Sequence, residues 1–188
     1  VGQPKKYRYY TLKVDMNGGV WQEFTSPQEY QLKNDETLEI PDPTREGYTF
    51  TGWSIDGVSS ELNGNTFSMG ISNSTLTANW TVNKYNVSID GRVEEVDYNS
   101  SIELTTPTKE GYTFTGWNVT GGTIDGNTFT LTEAKDIAIT STFVVNNYKY
   151  IVYHNQMNTS GSGYTLVSAD TDEGEAAFGS TISPNTKV

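Results

Sequence analysis

Apolar and polar residues alternate along this chain in short runs, bounded by Gly, Asn, Asp and Pro, and the period is two rather than 3.6. In the run 7–15, Tyr10, Leu12 and Val14 share one face; in 75–80, Leu76, Ala78 and Trp80 do the same. Tyr85, Val87 and Ile89 restate the first of these patterns. Runs of this length and period predict half-buried strands. Helical spacing is weak, and only 26–30 and 172–178 offer material for a turn or two. The predicted class is mostly β, α+β with minimal helix.

The alternation itself repeats. Gly47-Tyr48-Thr49-Phe50-Thr51-Gly52-Trp53 returns letter for letter as Gly111-Tyr112-Thr113-Phe114-Thr115-Gly116-Trp117, 64 residues on, each copy behind a basic residue, a glutamate and Pro-Thr. A fixed period of this size marks a small structural unit used in tandem. The opening strands, 7–15 and 85–90, align with a larger offset of about 75, so the first unit carries roughly eleven extra residues, placed at 20–30. Boundaries follow at 1–82 for the first module with its insertion, 83–145 for the second, and 146–188 for an incomplete third.

Turn chemistry refines the picture. Asn17-Gly18-Gly19 predicts a hairpin after the first strand, and Asn63-Gly64 and Asp125-Gly126 predict type I′ turns, whose central residues need positive φ. Gly52 interrupts a strand pattern and predicts a bulge that returns Trp53 to the core. Tyr48, Phe50, Trp53 and Trp80, with their counterparts Tyr112, Phe114, Trp117 and Phe143, are therefore read as structural core. The modules are joined at 80–85 and 143–148 with no Gly/Ser-rich or Pro-rich spacer, which predicts a stiff, elongated arrangement.

Composition narrows function more than it narrows fold. Of 188 residues, 12 are basic and 23 acidic, with a net charge of -11 carried as -4, -5 and -2 by the three segments. A phosphate backbone needs a basic footprint, so nucleic acid is excluded as a partner. Direct membrane insertion by an apolar helix is excluded by the lack of any long apolar run. The absence of cysteine removes disulfides and thiol chemistry, leaving the packing of small modules to aromatic residues.

Candidate chemistry is sparse. His154, the one histidine, lies in a strand pattern and is read as solvent-facing rather than as a general base. Glu94, Glu95 and Asp97 have no counterparts in the first module and read as solvated charges rather than a glycosidase pair. The run 170–175 has oxygen ligands but not the spacing of a calcium loop. No catalytic residue, cofactor or metal site is predicted. Trp21, Phe24 and Tyr30, on the inserted segment, are candidate ligand-binding residues able to stack on a sugar or anchor a protein. The rival reading gives them to the core.

The run Pro-Thr-Arg/Lys-Glu-Gly-Tyr-Thr-Phe-Thr-Gly-Trp, with the Leu76-Thr77-Ala78-Asn79-Trp80 that closes the first module, resembles the Listeria-Bacteroides repeat, also called the internalin B-repeat. That resemblance implies a β-grasp, ubiquitin-like module used in tandem on secreted or cell-wall-associated bacterial proteins, with no catalytic residues. The repetition, the short joints and the lack of a polar constellation at any one site point to a stiff spacer or adhesion module of such a protein; the alternative is a direct adhesin that binds a host-cell protein or glycan through Trp21 and Phe24. With a Tyr-x-Val strand, the strand Tyr164-Thr165-Leu166-Val167 and the run Gly179-Ser180-Thr181-Ile182-Ser183-Pro184, segment 148–184 is similar to mucin-binding-type repeats. Phe143 in place of a closing Trp and the insertion at 20–30 depart from the repeat pattern.

Overall fold

The structure, a computed structural model, describes residues 6–157, 160–161 and 163–183. Among these residues it is all β, without helix. The first module comprises β1 (Tyr9–Asp15), β2 (Gln28–Lys33), β3 (Thr37–Glu39), β4 (Tyr48–Asp56), β5 (Glu61–Asn63), β6 (Thr66–Ser68) and β7 (Ser74–Val82). The second comprises β8 (Lys84–Ile89), β9 (Arg92–Asp97), β10 (Ser101–Glu103), β11 (Tyr112–Val119), β12 (Thr123–Asp125), β13 (Thr128–Thr130) and β14 (Ile137–Val145). A long hairpin follows, β15 (Asn147–Met157) with β16 (Tyr164–Ala177).

Each module is a four-stranded sheet faced by a three-stranded one. The large sheets run β2-β1-β7-β4 and β9-β8-β14-β11, and the small sheets β3-β6-β5 and β10-β13-β12. The first and last strands of each module pair in parallel at the centre, with Leu12 opposite Ser74 and Val87 opposite Ile137. Parallel pairing requires a long crossover, and the intervening small sheet supplies it while covering the apolar face. That face explains the alternation: Leu12, Val14 and Leu76 are buried, and so are Val87, Ile137 and Ile139. Phe67 and Phe129, on the middle strands of the small sheets, are wholly buried and anchor the two cores.

Several expectations are corrected by packing. Asn17 and Gly18 do take positive φ (48° and 84°), but the chain does not fold straight back. Val20 instead bridges to Thr44, and β2 begins only at Gln28. The second module has the tight version: Asp90 and Gly91 (φ 47° and 89°) connect β8 to β9 directly, with Ile89 opposite Arg92. The extra residues therefore lie within the connection 16–27, while Tyr30 belongs to β2, opposite Leu12.

Asn63 pairs with Thr66, so the centre of that turn is Gly64-Asn65, with positive φ at Gly64 alone. Its counterpart centres on Gly126-Asn127. A glycine first in a two-residue loop is the type II′ arrangement, one position on from the expected I′ turn. Residues 172–177 are not helical but form the last part of β16, because pairing with Val152 back to Asn147 overrides weak local propensity. The bulge at Gly52 is present, as a register shift between Phe50 and Gly52, and recurs between Phe114 and Gly116.

Candidate functional site

A polar and aromatic constellation sits where one module meets the next. β7 ends at Val82 and β8 begins at Lys84, so a single residue, Asn83, separates them. Its backbone N–H donates to the Gly47 carbonyl at 2.9 Å, and its own carbonyl accepts from the Tyr98 N–H at 2.9 Å. Its side-chain carbonyl accepts from the Thr49 hydroxyl at 2.6 Å. One residue thus ties the start of β4 to the end of β9.

Tyr98 then lies over the backbone of Gly47, edge-on to Tyr48 with ring centroids 5.9 Å apart. Gly47 has φ +73°, and any Cβ there would overlap the Tyr98 ring, so conformation and space both demand glycine. Arg45 closes the far side of Tyr48, its guanidinium 3.9 Å from the ring centroid, a cation–π contact. Burial, and secondly the nearby Glu46 carboxylate, hold the Tyr98 phenol above its ordinary pKa of 10.0.

The joint is built again between the second module and the hairpin. Asn146 N–H donates to Gly111 O at 2.8 Å, Phe178 N–H to Asn146 O at 2.8 Å, and the Thr113 hydroxyl to Asn146 Oδ1 at 2.6 Å. Phe178 covers Gly111 (φ +74°) and meets Tyr112 edge-on at 6.3 Å, with Lys109 Nζ 3.9 Å over the Tyr112 ring. The turn beyond the aromatic is also the same. Ser100 and Ser180 each return their N–H and hydroxyl to the carbonyl three residues back, behind a left-handed Asn99 or Gly179.

From the sequence, both connections are read as short and stiff, with no residue assigned to holding them. The signal that identifies the joint is the pair Asn83 and Asn146, each at the seam, with an aromatic, Tyr98 or Phe178, at the end of the next hairpin.

The ligand-binding candidates are not brought together as an exposed surface. Trp21 is only 5% exposed and belongs to the first core, its ring edge-on to Tyr30 at 6.1 Å. The reading of Trp21 as an exposed stacking platform is therefore corrected: it closes a tight turn by backbone hydrogen bonds with Phe24 in both directions and is drawn inward. Tyr30 is half-buried against the same core, and of the three Phe24 alone is open to solvent, at 41%.

Of the aromatics read as core, Trp53 and Trp117 pack against their clusters. Phe50 stacks edge-on between Trp53 and Trp80, and Phe114 between Trp117 and Phe143. Trp80 donates its indole N–H to the Met16 carbonyl at 3.0 Å. Tyr48 and Tyr112 are turned toward the following unit. All eight are half-buried, forming a wall that continues each core to its joint.

His154 is not solvent-facing. Its Nε2 lies 3.1 Å from Asp172 Oδ2 across the β15–β16 hairpin, with the side chains 17% and 18% exposed. Glu94 pairs with Arg92 on the same strand. No group of three or more metal-ligating side chains is gathered among the described residues. Asp170 lies where side chains are not described, and residues 158, 159 and 162, between β15 and β16, are outside the described residues.

The model of the Listeria-Bacteroides repeat domain matches residues 10–79 and 81–140, one match per module. Internalin H of Listeria monocytogenes is 42% identical over 98 residues, covering 48% of this chain and 18% of that protein. A protein of Evansella cellulosilytica, described by name as a Gly-rich membrane protein, is 37% identical over 94 residues, or 40% of this chain and 11% of the relative. A second membrane protein of the same organism is 30% identical over 122 residues, 58% of this chain and 18% of the relative. The chain spans less than a fifth of the length of each of these relatives.

Proposed function

The chain belongs to the Listeria-Bacteroides repeat domain family, and on that premise we propose that it is a non-catalytic repeat region of a bacterial cell-surface protein, holding other parts of that protein at a set distance and angle. The observation that carries this reading is the joint. Two successive connections use the same hydrogen bonds and the same aromatic-on-glycine contact, leaving a single residue between strands of neighbouring units. A spacer needs its joints to resist bending, and a connection that is hydrogen-bonded at both ends and packed by a ring does so without a large interface. The names of the relatives, an internalin and membrane proteins, support a surface location, secreted or wall-attached.

The sheet order, with a hairpin whose first strand pairs in parallel with the last, supports assigning each module to the β-grasp type, the small three-stranded sheet standing where that fold usually carries a helix. On this reading 148–184 opens a mucin-binding-type unit. The absence of catalysis is part of the same proposal.

Spin labels on Glu61→Cys and Asp125→Cys, both at exposed positions in a chain with no native cysteine, test the spacer reading by the distance between the first two modules. A narrow, single-peaked distribution is expected; a broad one overturns the reading. A second reading, direct binding of a glycan or host protein, draws its support from exposed Phe24, and is tested with Phe24→Ala on a glycan array. Trp21 has no part in it.

A further inference from the structure

The two joints use an acceptor written the same way and donors that differ. On the acceptor side stand Gly47-Tyr48-Thr49 and Gly111-Tyr112-Thr113. On the donor side are Asn83 with Tyr98 in one case and Asn146 with Phe178 in the other; the hairpins bearing them share the serine turn beyond the ring but differ in length. One has a two-residue turn and strands of six residues; the other has strands of eleven and fourteen. The family match also ends at residue 140, before the second donor begins. The acceptor therefore does not read the family of the unit that follows. It reads an asparagine at the seam and a ring immediately after the second strand of the next hairpin.

The first module presents the same hairpin end and lacks both features. Strand register aligns Arg8 with Asn83, and Asn34 with Tyr98. The backbone turn is kept: Asp35 has φ 62° where Asn99 has 60°, and the Glu36 N–H returns to the Lys33 carbonyl at 3.0 Å as Ser100 does to Asp97. The geometry of a donor is intact, and its chemistry is not. Asn34 has no ring to cover a glycine, and Arg8 has no side-chain carbonyl to accept from a threonine hydroxyl.

We infer that this acceptor and donor pair forms a directional coupling code: a unit carrying the Gly-Tyr-Thr acceptor docks any following hairpin with seam Asn and terminal Tyr or Phe, whereas the first module is an acceptor only and does not dock on a Gly-Tyr-Thr acceptor of a unit before it. The partner class of the acceptor is thus the aromatic-tipped hairpin of the next unit in the same polypeptide. The inference rests on the spacer reading, since it names the residues that set the joint.

The test writes the first module's residues into a working joint in the full chain. Asn83→Arg with Tyr98→Asn is made alongside Tyr98→Phe, and the distance between spin labels at positions 61 and 125 is measured in each, with circular dichroism melting as the control on folding. The double variant is expected to broaden the distribution while Tyr98→Phe keeps it narrow, because Phe178 shows that the hydroxyl is dispensable. Phe178→Asn, with labels placed across the second seam, is expected to loosen that joint and leave the first unchanged. A double variant that remains folded and as narrow as the parent overturns the code, as does loosening by Tyr98→Phe. A parent chain with a broad distribution sinks the spacer reading instead, so the two failures are distinguishable. Should the double variant lose its fold, Tyr98→Asn alone is read by the same measure.

Discussion

The first and second modules share a sheet order and a core plan, and they part company between their first two strands. The second makes that connection with Asp90-Gly91; the first takes the stretch 16–27 and brings Met16 and Trp21 into its core, where the second has no counterpart. At the joint the divergence disappears, down to the individual hydrogen bond. A module is free to change how it covers its own core, because any apolar group of suitable volume serves there. A joint is less free, since it must fit an independently folded neighbour. The glycine, the seam asparagine and the threonine hydroxyl are each fixed by a contact in that neighbour or with it.

The hardest way to break the comparison is at the cores. Phe67→Ala and Phe129→Ala each remove a fully buried ring, and a loss of about 3–5 kcal/mol is expected in the module concerned. Hydrogen exchange read module by module should show the other one protected. Concerted loss of both would mean that the modules are not separate folding units.

Trp21→Ala sharpens the reading of the insertion. As a core residue it should cost about 3 kcal/mol and lower the melting temperature of the first module alone. A change of less than about 0.5 kcal/mol, the usual effect of a surface substitution, would return Trp21 to the ligand-binding candidates.

Gly47→Ala and Gly111→Ala place a methyl group where a ring lies and where φ is left-handed. The conformational term alone is about 1–2 kcal/mol, and the displaced ring should widen the angle between units at the altered joint only. Calorimetry together with spin-label distances checks both parts.

The smallest effect separates the two joints by pH. Tyr98 has its folded pKa raised, so the stability it contributes is whole below the ordinary phenol value near 10 and is lost as pH rises through the folded value. The first joint should loosen in alkali above about pH 10, while the second, held by Phe178, should not. Equal loosening of both would assign the effect to other tyrosines.

Much of this was legible from residue order. Period-two alternation and the glycine at the bulge are local features, and each appears where local geometry would place it, while the 64-residue repeat is read directly from identical letters. What was misread depended on partners distant in sequence. Trp21 sits on an apparent surface insertion, yet Tyr30 and the core draw it in. Residues 172–177 lack a strand signature, yet their partners on β15 make them strand. Asn83, Asn146 and Tyr98 are ordinary polar or aromatic residues until the fold sets them against Gly47 and Gly111.

By itself the sequence determined the β class and the repeat of this protein, because alternation and turn residues act between near neighbours in the chain and the repeat is written in residue order. The tertiary structure alone decided which aromatics are interior, which strands lie parallel at the centre, and that the repeated glycine and tyrosine face the next unit. Those outcomes depend on contacts between residues tens of positions apart, and it is closure of the sheets that brings them together.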